Sequence, residues 1–242
     1  KTFGFLVGQV MKATAGKVFN RSWFRLVREV PIDVVAWTRY LDKAYTEGGG
    51  KYSAGVLMGM RADKRVIVAD VTRGQWSART REAEIARVAE LDRVLCGDRL
   101  TVGIEQEPAS GKESAENTVR TLAGFAVYID RVTKDKLTRA YPLSAQAEVG
   151  NVEVLARDWT DAFLTELQNF DGVRGFTDQC DAASGAYNKL ARQMSVTPLN
   201  IVTDAATKTD DEQRAEDDRL REDGARVIRE RIAQHGIYFP GR

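Results

Sequence analysis

The sequence is poor in the side chains that build disulfide frameworks and zinc sites. Its 242 residues include two cysteines, Cys96 and Cys180, and a single histidine, His235. Two cysteines are too few for a disulfide framework or a zinc centre, so we expect both to be reduced, buried thiols. His235 lies in a charged C-terminal stretch, where it is a poor candidate for a general base.

Long apolar runs and net charge are also missing. No run approaches the roughly 18 residues of a membrane-spanning helix, and no secretory signal opens the sequence, so we expect no membrane partner and a cytosolic setting. The 36 basic and 35 acidic residues leave a formal charge of +1, so bulk electrostatics give no sign of a nucleic-acid partner. An apolar content of 43% can fill the core of one large α/β domain.

The sequence does contain an alternation of strand-like and helix-like segments. Three runs, VPIDVVAWTRYL, YSAGVLMGM and RVIVADV, predict an antiparallel meander whose first strand ends near Asp42. LTVGIE, FAVYIDRV and VEVL predict further strands, and helical periodicity predicts helices over 79–96, 110–124, 137–150, 159–170 and 178–192. We therefore expect an α/β fold with a mixed sheet covered by helices on both faces.

Composition also divides the chain. We interpret residues 1–30 as a linker that trails an upstream region, 31–194 as the folded domain, and 195–242 as a charged, partly helical tail. The phosphate-binding pattern GxxxxGK[ST] does not occur, since ASGKES at 109–114 lacks its first glycine. We therefore expect no nucleotide-driven motor in this chain.

Acidic residues stand at three separate stations: Asp42 after a strand, Glu105 in VGIEQEP, and Asp178 with Asp181 in TDQCDAASGAY. Alternating strands and helices would bring these carboxylates to one end of a sheet. Carboxylates without histidine or cysteine suit hard cations such as Mg²⁺ or Mn²⁺. Two such ions roughly 4 Å apart, bridged by a carboxylate, are typical of phosphodiester hydrolysis.

Each station also has a plainer interpretation. Asp42 could be an ordinary turn residue. Glu105 should face away from the apolar Val102 and Ile104, but a pair of solvated acids at a strand end, with Glu107, explains it too. The helix dipole accounts well for Asp178 and less well for a second acid three residues later, which is costly without a cation. Only the stations taken together favour a metal site.

The order of these blocks resembles a known family. The resemblance covers about residues 25–192 and rests on Asp42 followed by the blocks IEQEP, KDKLTRAYPLSAQAEVGNVEVL, WTDAFLTELQNF and DQCDAASGAYNKL. In this order, these segments are similar to the nuclease domain of the tailed-bacteriophage terminase large subunit. The resemblance implies an RNase H-like fold, related to Holliday-junction resolvases. It also implies cleavage of concatemeric viral DNA during genome packaging, in the cytoplasm of the infected bacterium. The last motif often begins with two adjacent acids in that family, whereas Thr177 stands first here.

The resemblance also implies roles and partners. Asp42, Glu105 and Asp178 would hold two Mg²⁺ or Mn²⁺ ions, with Asp181 as a fourth catalytic acid, and the choice between Asp178 and Asp181 as principal ligand stays open. The partners would be double-stranded DNA, the ATPase region of the same subunit, the portal and the small terminase subunit.

More than one interpretation is open for the basic residues of KDKLTRA and for the function of the protein. Lys134, Lys136 and Arg139 are candidates for DNA phosphate contacts, although a solvated basic turn is equally consistent with them. Arg73, Arg79 and Arg81 form a weaker patch. Besides an endonuclease of little sequence preference, the same fold could serve a structure-selective junction resolvase, or a non-catalytic module that docks on DNA or portal.

Overall fold

The computed structural model describes residues 18–44, 50–106 and 111–196. The predictions for Glu107, for His235 and for the tail beyond residue 196 lie outside these ranges. The strands are β1 Arg25–Val27, β2 Val34–Asp42, β3 Ser53–Arg61, β4 Val66–Gly74, β5 Leu100–Gln106, β6 Val127–Arg131 and β7 Val152–Leu155. The helices are α1 Ala78–Cys96, α2 Gly111–Thr121, α3 Lys136–Glu148, α4 Thr160–Asn169 and α5 Asp178–Val196.

The described strands form a single mixed sheet in the order β1-β7-β4-β3-β2-β5-β6. β2, β3 and β4 make the predicted antiparallel meander, and the remaining neighbours pair in parallel. β3 therefore runs opposite to the other described strands. Because β2, β5 and β6 run the same way, Asp42, Glu105 and the end of β6 lie at one edge of the sheet.

Alternation along the central strands separates the two faces of the sheet. On β2, Trp37 and Leu41 pack into apolar clusters with α1, whereas Tyr40 packs into the larger cluster that includes α3, α4 and α5. Successive strand side chains point to opposite faces, so Asp42 shares the face of Tyr40. Both faces carry helices, which confirms the predicted α/β fold with a mixed sheet.

Small residues bring α5 close to this face. Ala182, Ala183 and Ala186 are fully buried. A Cβ atom on Gly185 would lie 2.3 Å from ring carbons of Tyr40, so only glycine fits there. None of the described helices combines the length and the hydrophobicity of a membrane-spanning segment.

The described structure begins within the range interpreted as a linker. Phe19 is fully buried and Phe24 nearly so, in the cluster beneath α4. β1 pairs in parallel with β7, in the register Arg25 to Glu153. Residues 18–27 thus add an edge strand and aromatic core contacts to the domain; the boundaries of the predicted linker and tail stay predictions.

Candidate metal-dependent active site

Asp42 is the last residue of β2, a central strand paired on both sides. Its carboxyl has a pKa raised well above the usual value, because it is buried and because Glu105, Asp181 and Asp178 are negative neighbours. Lys136 opposes this shift. Leu41 lies beside Ile104 in the parallel register of β2 and β5, so Asp42 and Glu105 lie at the ends of neighbouring strands. Asp178 and Asp181 lie close enough to act on Asp42 electrostatically, and we call these four side chains the acid cluster.

Glu105 lies on β5, beside β2, and its side chain points away from Val102 and Ile104, as the alternation predicts. Arg139 of α3 donates hydrogen bonds to both of its carboxylate oxygens, one at 2.8 Å. Both side chains are buried. Burial raises the pKa of Glu105, while Arg139 acts in the opposite direction. Arg139 thus fixes the orientation of this carboxylate.

Asp178 and Asp181 lie in the first turn of α5 and are both buried. The backbone N–H of Tyr52, just before β3, donates to Asp178 Oδ2 at 3.0 Å. Asp181 Oδ2 accepts from Thr177 Oγ1 and from Lys136 Nζ. Burial raises the pKa of Asp178, partly offset by the Tyr52 N–H and by Lys136. Two helix-start acids are therefore held by different parts of the fold.

Glu166 of α4 fixes the start of α5. Its Oε1 accepts the backbone N–H groups of Gln179 at 2.6 Å and Cys180 at 3.2 Å. Its Oε2 accepts from the Gln179 side chain at 2.5 Å. The first N–H groups of a helix have no partner within the helix, so this buried glutamate caps α5 and holds Asp178 and Asp181 in place. No local pattern in WTDAFLTELQNF would have identified it.

The three basic residues predicted to bind DNA have different environments. Lys134 is exposed on the approach to α3. Lys136 bonds Thr177 Oγ1 at 2.6 Å as well as Asp181, and Arg139 is buried against Glu105. Burial alone would lower the pKa of Lys136, but Asp181, Asp42 and Asp178 together raise it. Lys136 and Arg139 therefore supply positive charge to the acid cluster itself.

Sequence reasoning missed one further acid at this edge. Asp130 of β6 lies beside Glu105 in the sheet register. Its Oδ2 accepts the Tyr40 hydroxyl at 2.8 Å, and Arg192 approaches to 3.9 Å. The sequence pattern could have identified Asp130, because this aspartate follows the apolar residues of a strand just as Asp42 follows those of β2.

Two buried cations support β2 from the opposite face. Arg39, fully buried, donates to both oxygens of Asp92 at 2.7 Å and to Asp70 at 2.7 Å. Lys43 Nζ donates to the carbonyl and hydroxyl of Ser114. Burial lowers the pKa of Lys43 to about 8. These contacts, which flank Asp42 in sequence, fix the end of β2 against α1 and α2.

Within 18–44, 50–106 and 111–196, no group of three or more His, Cys, Asp or Glu side chains is arranged to hold a metal ion. Two of the four acids in the cluster are engaged by cationic side chains instead. Glu105 is oriented toward Arg139, and Asp181 toward Lys136. Each carboxylate oxygen has two lone pairs, so one N–H contact leaves an oxygen able to bind a cation. The four carboxylates share an all-oxygen chemistry that suits Mg²⁺ or Mn²⁺.

Comparison with known proteins identifies the family of this chain. The sequence profile of the family described as Terminase RNaseH-like domain matches residues 39–190. That range contains all four members of the acid cluster. No curated protein matches the sequence.

Solved structures show the same fold. The large terminase nuclease from thermophilic phage G20c with bound magnesium superposes with a TM-score of 0.54 at 16% identity, covering 73% of this chain and 99% of that one. The human cytomegalovirus terminase nuclease domain, soaked with Mn and inhibitor-bound, gives 0.54 at 14% identity, covering 71% and 94%. The nuclease domain of Thermus phage P74-26 gives 0.51 at 15% identity, covering 72% and 95%. At such identities the likeness establishes the fold.

Proposed function

Because this chain belongs to the terminase RNase H-like domain family, we propose that it is a divalent-metal-dependent endonuclease that cleaves concatemeric double-stranded viral DNA during genome packaging, with little sequence specificity. The observation that carries the proposal is the acid cluster. Asp42, Glu105, Asp178 and Asp181 come from distant segments, and burial and mutual repulsion raise the pKa of Asp42. Carboxylate oxygens are the ligands that hard divalent cations take.

The donor set fits Mg²⁺ or Mn²⁺, and we propose two ions. Similar nuclease structures are described with bound magnesium, cobalt and zinc. We assign Asp42, Glu105 and Asp178 as ligands, with Asp181 as the fourth acid. Bound divalent ions would supply an activated water and stabilise the leaving oxygen. To bind them, Glu105 and Asp181 must share or release their contacts with Arg139 and Lys136.

The chain's own residues then have distinct tasks. Asp42, at the end of a doubly paired strand, is the rigid ligand about which the others are arranged. Arg139 orients Glu105, and Lys136 lies against Asp181 with a side chain one-third exposed, where it can meet a phosphate. Lys134, exposed and just before α3, is placed to neutralise backbone phosphates without reading bases.

The proposed setting is the packaging machine in the cytoplasm of the infected bacterium. Double-stranded DNA is the substrate, the ATPase region of the same subunit supplies translocation, and the portal and small terminase subunit are further proposed partners. The even balance of 36 basic and 35 acidic residues favours DNA contacts confined to a local surface rather than spread over the protein.

Linearisation of supercoiled plasmid in Mn²⁺ tests this proposal. Wild-type protein should nick and linearise the plasmid, and EDTA should stop it. Asp42→Asn should lose the activity by on the order of a thousandfold, while Asp98→Asn, an exposed aspartate remote from the cluster, should cut normally. Undiminished cutting by Asp42→Asn would reject the assignment. A preference for four-way junctions over linear duplex would instead identify a resolvase.

A further inference from the structure

An aromatic and cationic stack lies on the surface beside the acid cluster. The Arg73 guanidinium carbon lies 3.7 Å from the centroid of the Tyr52 ring and 5.4 Å from that of Phe176. The two rings meet edge to face, with centroids 5.0 Å apart. Phe176 is 50% exposed. We call these three residues, from β4, the segment before β3 and the loop before α5, the Phe176 stack.

The stack is joined directly to the proposed active site. The N–H of Tyr52 donates to Asp178, and Phe176 precedes Asp178 by two residues. Arg73 pairs with Ala54 on β3, and Ala54 pairs with Asp42 on the other side. The exposed ring therefore lies beside the acid cluster, through its contact with Tyr52.

The loop that carries Phe176 is built to expose apolar side chains. Asp171 Oδ1 accepts the backbone N–H groups of both Val173 and Arg174, at 2.8 and 2.7 Å. Gly172 and Gly175 adopt left-handed backbone angles, with φ of 80° and 74°. Val173, at the tip, is 84% exposed, the most exposed large apolar side chain of the described residues. The turn thus presents an exposed valine and a half-exposed phenylalanine together, an apolar patch of the kind that marks interaction sites.

The charged side chains around the Phe176 stack indicate the chemistry of a partner that would cover it. Lys51 and Arg174 are exposed next to the stack, and Arg73 lies within it. Arg73 Nε is buried and has no hydrogen-bond acceptor among the described residues, and its nearest carboxylate, Glu166, is 3.8 Å away. The surface is thus cationic and aromatic immediately next to the acids. A polyanion with apolar sugar and base edges complements both properties.

We propose that the Phe176 stack and the Val173 tip form a DNA-docking element that positions the duplex for cleavage, a role that rests on the proposed nuclease function. Phe176 and Val173 pack on sugars and base edges in the minor groove, and Lys51, Arg73 and Arg174 pair with the flanking phosphates. Tyr52 couples the element to the site, because its ring holds Arg73 while its N–H holds Asp178. These side chains contact DNA and bind no metal.

Two substitutions test the element. Phe176→Ala removes the exposed ring, and Val173→Asp puts a negative charge on a side chain too exposed to affect folding. Val149→Asp is the matched control: Val149 is 67% exposed after α3. Val149 lies two residues before Asn151, whose carbonyl oxygen accepts the backbone N–H of Val66 at the start of β4. Val149 is therefore at the edge of the sheet opposite to the acid cluster. Binding to a fluorescent 30-base-pair duplex is measured by anisotropy in Ca²⁺, with plasmid cleavage in Mn²⁺ and Mn²⁺ binding by calorimetry alongside.

Phe176→Ala and Val173→Asp should each weaken duplex binding about tenfold and slow cleavage at sub-saturating DNA, with Mn²⁺ affinity unchanged. Val149→Asp should bind and cut as wild type does. Wild-type binding by Val173→Asp, or an equal loss in Val149→Asp, overturns the docking element while cleavage by the wild type still upholds the nuclease. A wild type that fails to cut overturns the proposed function instead, whatever these variants bind.

Discussion

Arg139 of α3 donates to both carboxylate oxygens of Glu105 on β5, and both side chains are buried. Removing one partner of such a pair leaves an uncompensated charge in the interior. Arg139→Met should therefore lower the free energy of unfolding of the metal-free protein by about 3–5 kcal/mol. Urea unfolding in EDTA measures this loss.

Lys134→Met is the matched control for that variant, since Lys134 lies on the approach to the same helix and is exposed. Its stability should stay within about 0.5 kcal/mol of wild type. Adding Mn²⁺ should restore part of the stability lost in Arg139→Met, because a bound cation compensates Glu105. Equal stability of wild type and Arg139→Met in EDTA would contradict the role of the pair.

The acid cluster predicts an unusual pH dependence of stability. Burial, with the acidic neighbours, raises the pKa of Asp42, and burial also raises those of Glu105 and Asp178. A raised pKa means that the folded state binds protons more tightly than the unfolded chain, whose carboxyls ionise near pH 4. The metal-free protein should therefore lose stability as the pH rises above about 4 through these raised pKa values.

Asp42→Asn isolates this effect. At pH 8 in EDTA the variant should be more stable than wild type by on the order of 1 kcal/mol, because one mutually repelling charge is gone. The advantage should become small near pH 4, where Asp42 is protonated in the folded state and only about half ionised in the unfolded chain. Unfolding curves between pH 4 and 8 measure it, with Asp98→Asn as an exposed control. A variant less stable than wild type at pH 8 would contradict the prediction.

Divalent ions should reverse the order of stability of wild type and Asp42→Asn. If Mn²⁺ binds only the folded state and its concentration is a hundred times its Kd, it adds about 2.7 kcal/mol to the free energy of unfolding. For a chain of this size that raises Tm by roughly 5–10 °C. Wild type should show that shift and Asp42→Asn should lose most of it. Thermal unfolding followed by circular dichroism decides the matter, and equal shifts in both proteins would place the ions elsewhere.

Gly185 determines how closely α5 approaches the sheet. Alanine would improve helix propensity by about 1 kcal/mol, yet its Cβ would lie 2.3 Å from the Tyr40 ring. We expect Gly185→Ala to cost about 1–3 kcal/mol net. Cleavage per folded molecule should also fall, because Asp178 and Asp181 move with the helix.

Gly124→Ala controls for a general loss of stability. Gly124 has a φ of 90° and open space where a Cβ would stand. Alanine there should cost about 1 kcal/mol through backbone strain, without any change in cleavage. The interpretation of Gly185 would be wrong if both variants kept full activity per folded molecule.

Local pattern was enough to predict much of this fold. The end of β2 at Asp42, the meander and the helical periods of α1 and α5 follow from side chains that are neighbours in sequence. The face of Glu105 follows from the alternation with Val102 and Ile104. The three-residue strand β1 has no such signal, because it exists only through pairing with β7, more than a hundred residues later.

The electrostatics of the candidate site depend on contacts that no spacing encodes. Arg139 and Glu105 are 34 residues apart, and Lys136 and Asp181 are 45 apart. From the sequence, the KDKLTRA block suggests a basic surface, and only the start of α3 beside α5 turns two of its cations inward. The assignments of Asp42, Glu105, Asp178 and Asp181 as ligands stay predictions, as does DNA contact by Lys134, Lys136 and Arg139.

Anomalous diffraction from a crystal soaked in Mn²⁺ tests the central claim most directly. Data collected at the manganese edge should show peaks bounded by Asp42, Glu105, Asp178 and Asp181, with the Glu105 and Asp181 carboxylates shared between a metal ion and Arg139 or Lys136. Manganese bound away from these four side chains, or absent at millimolar concentration, would contradict the account.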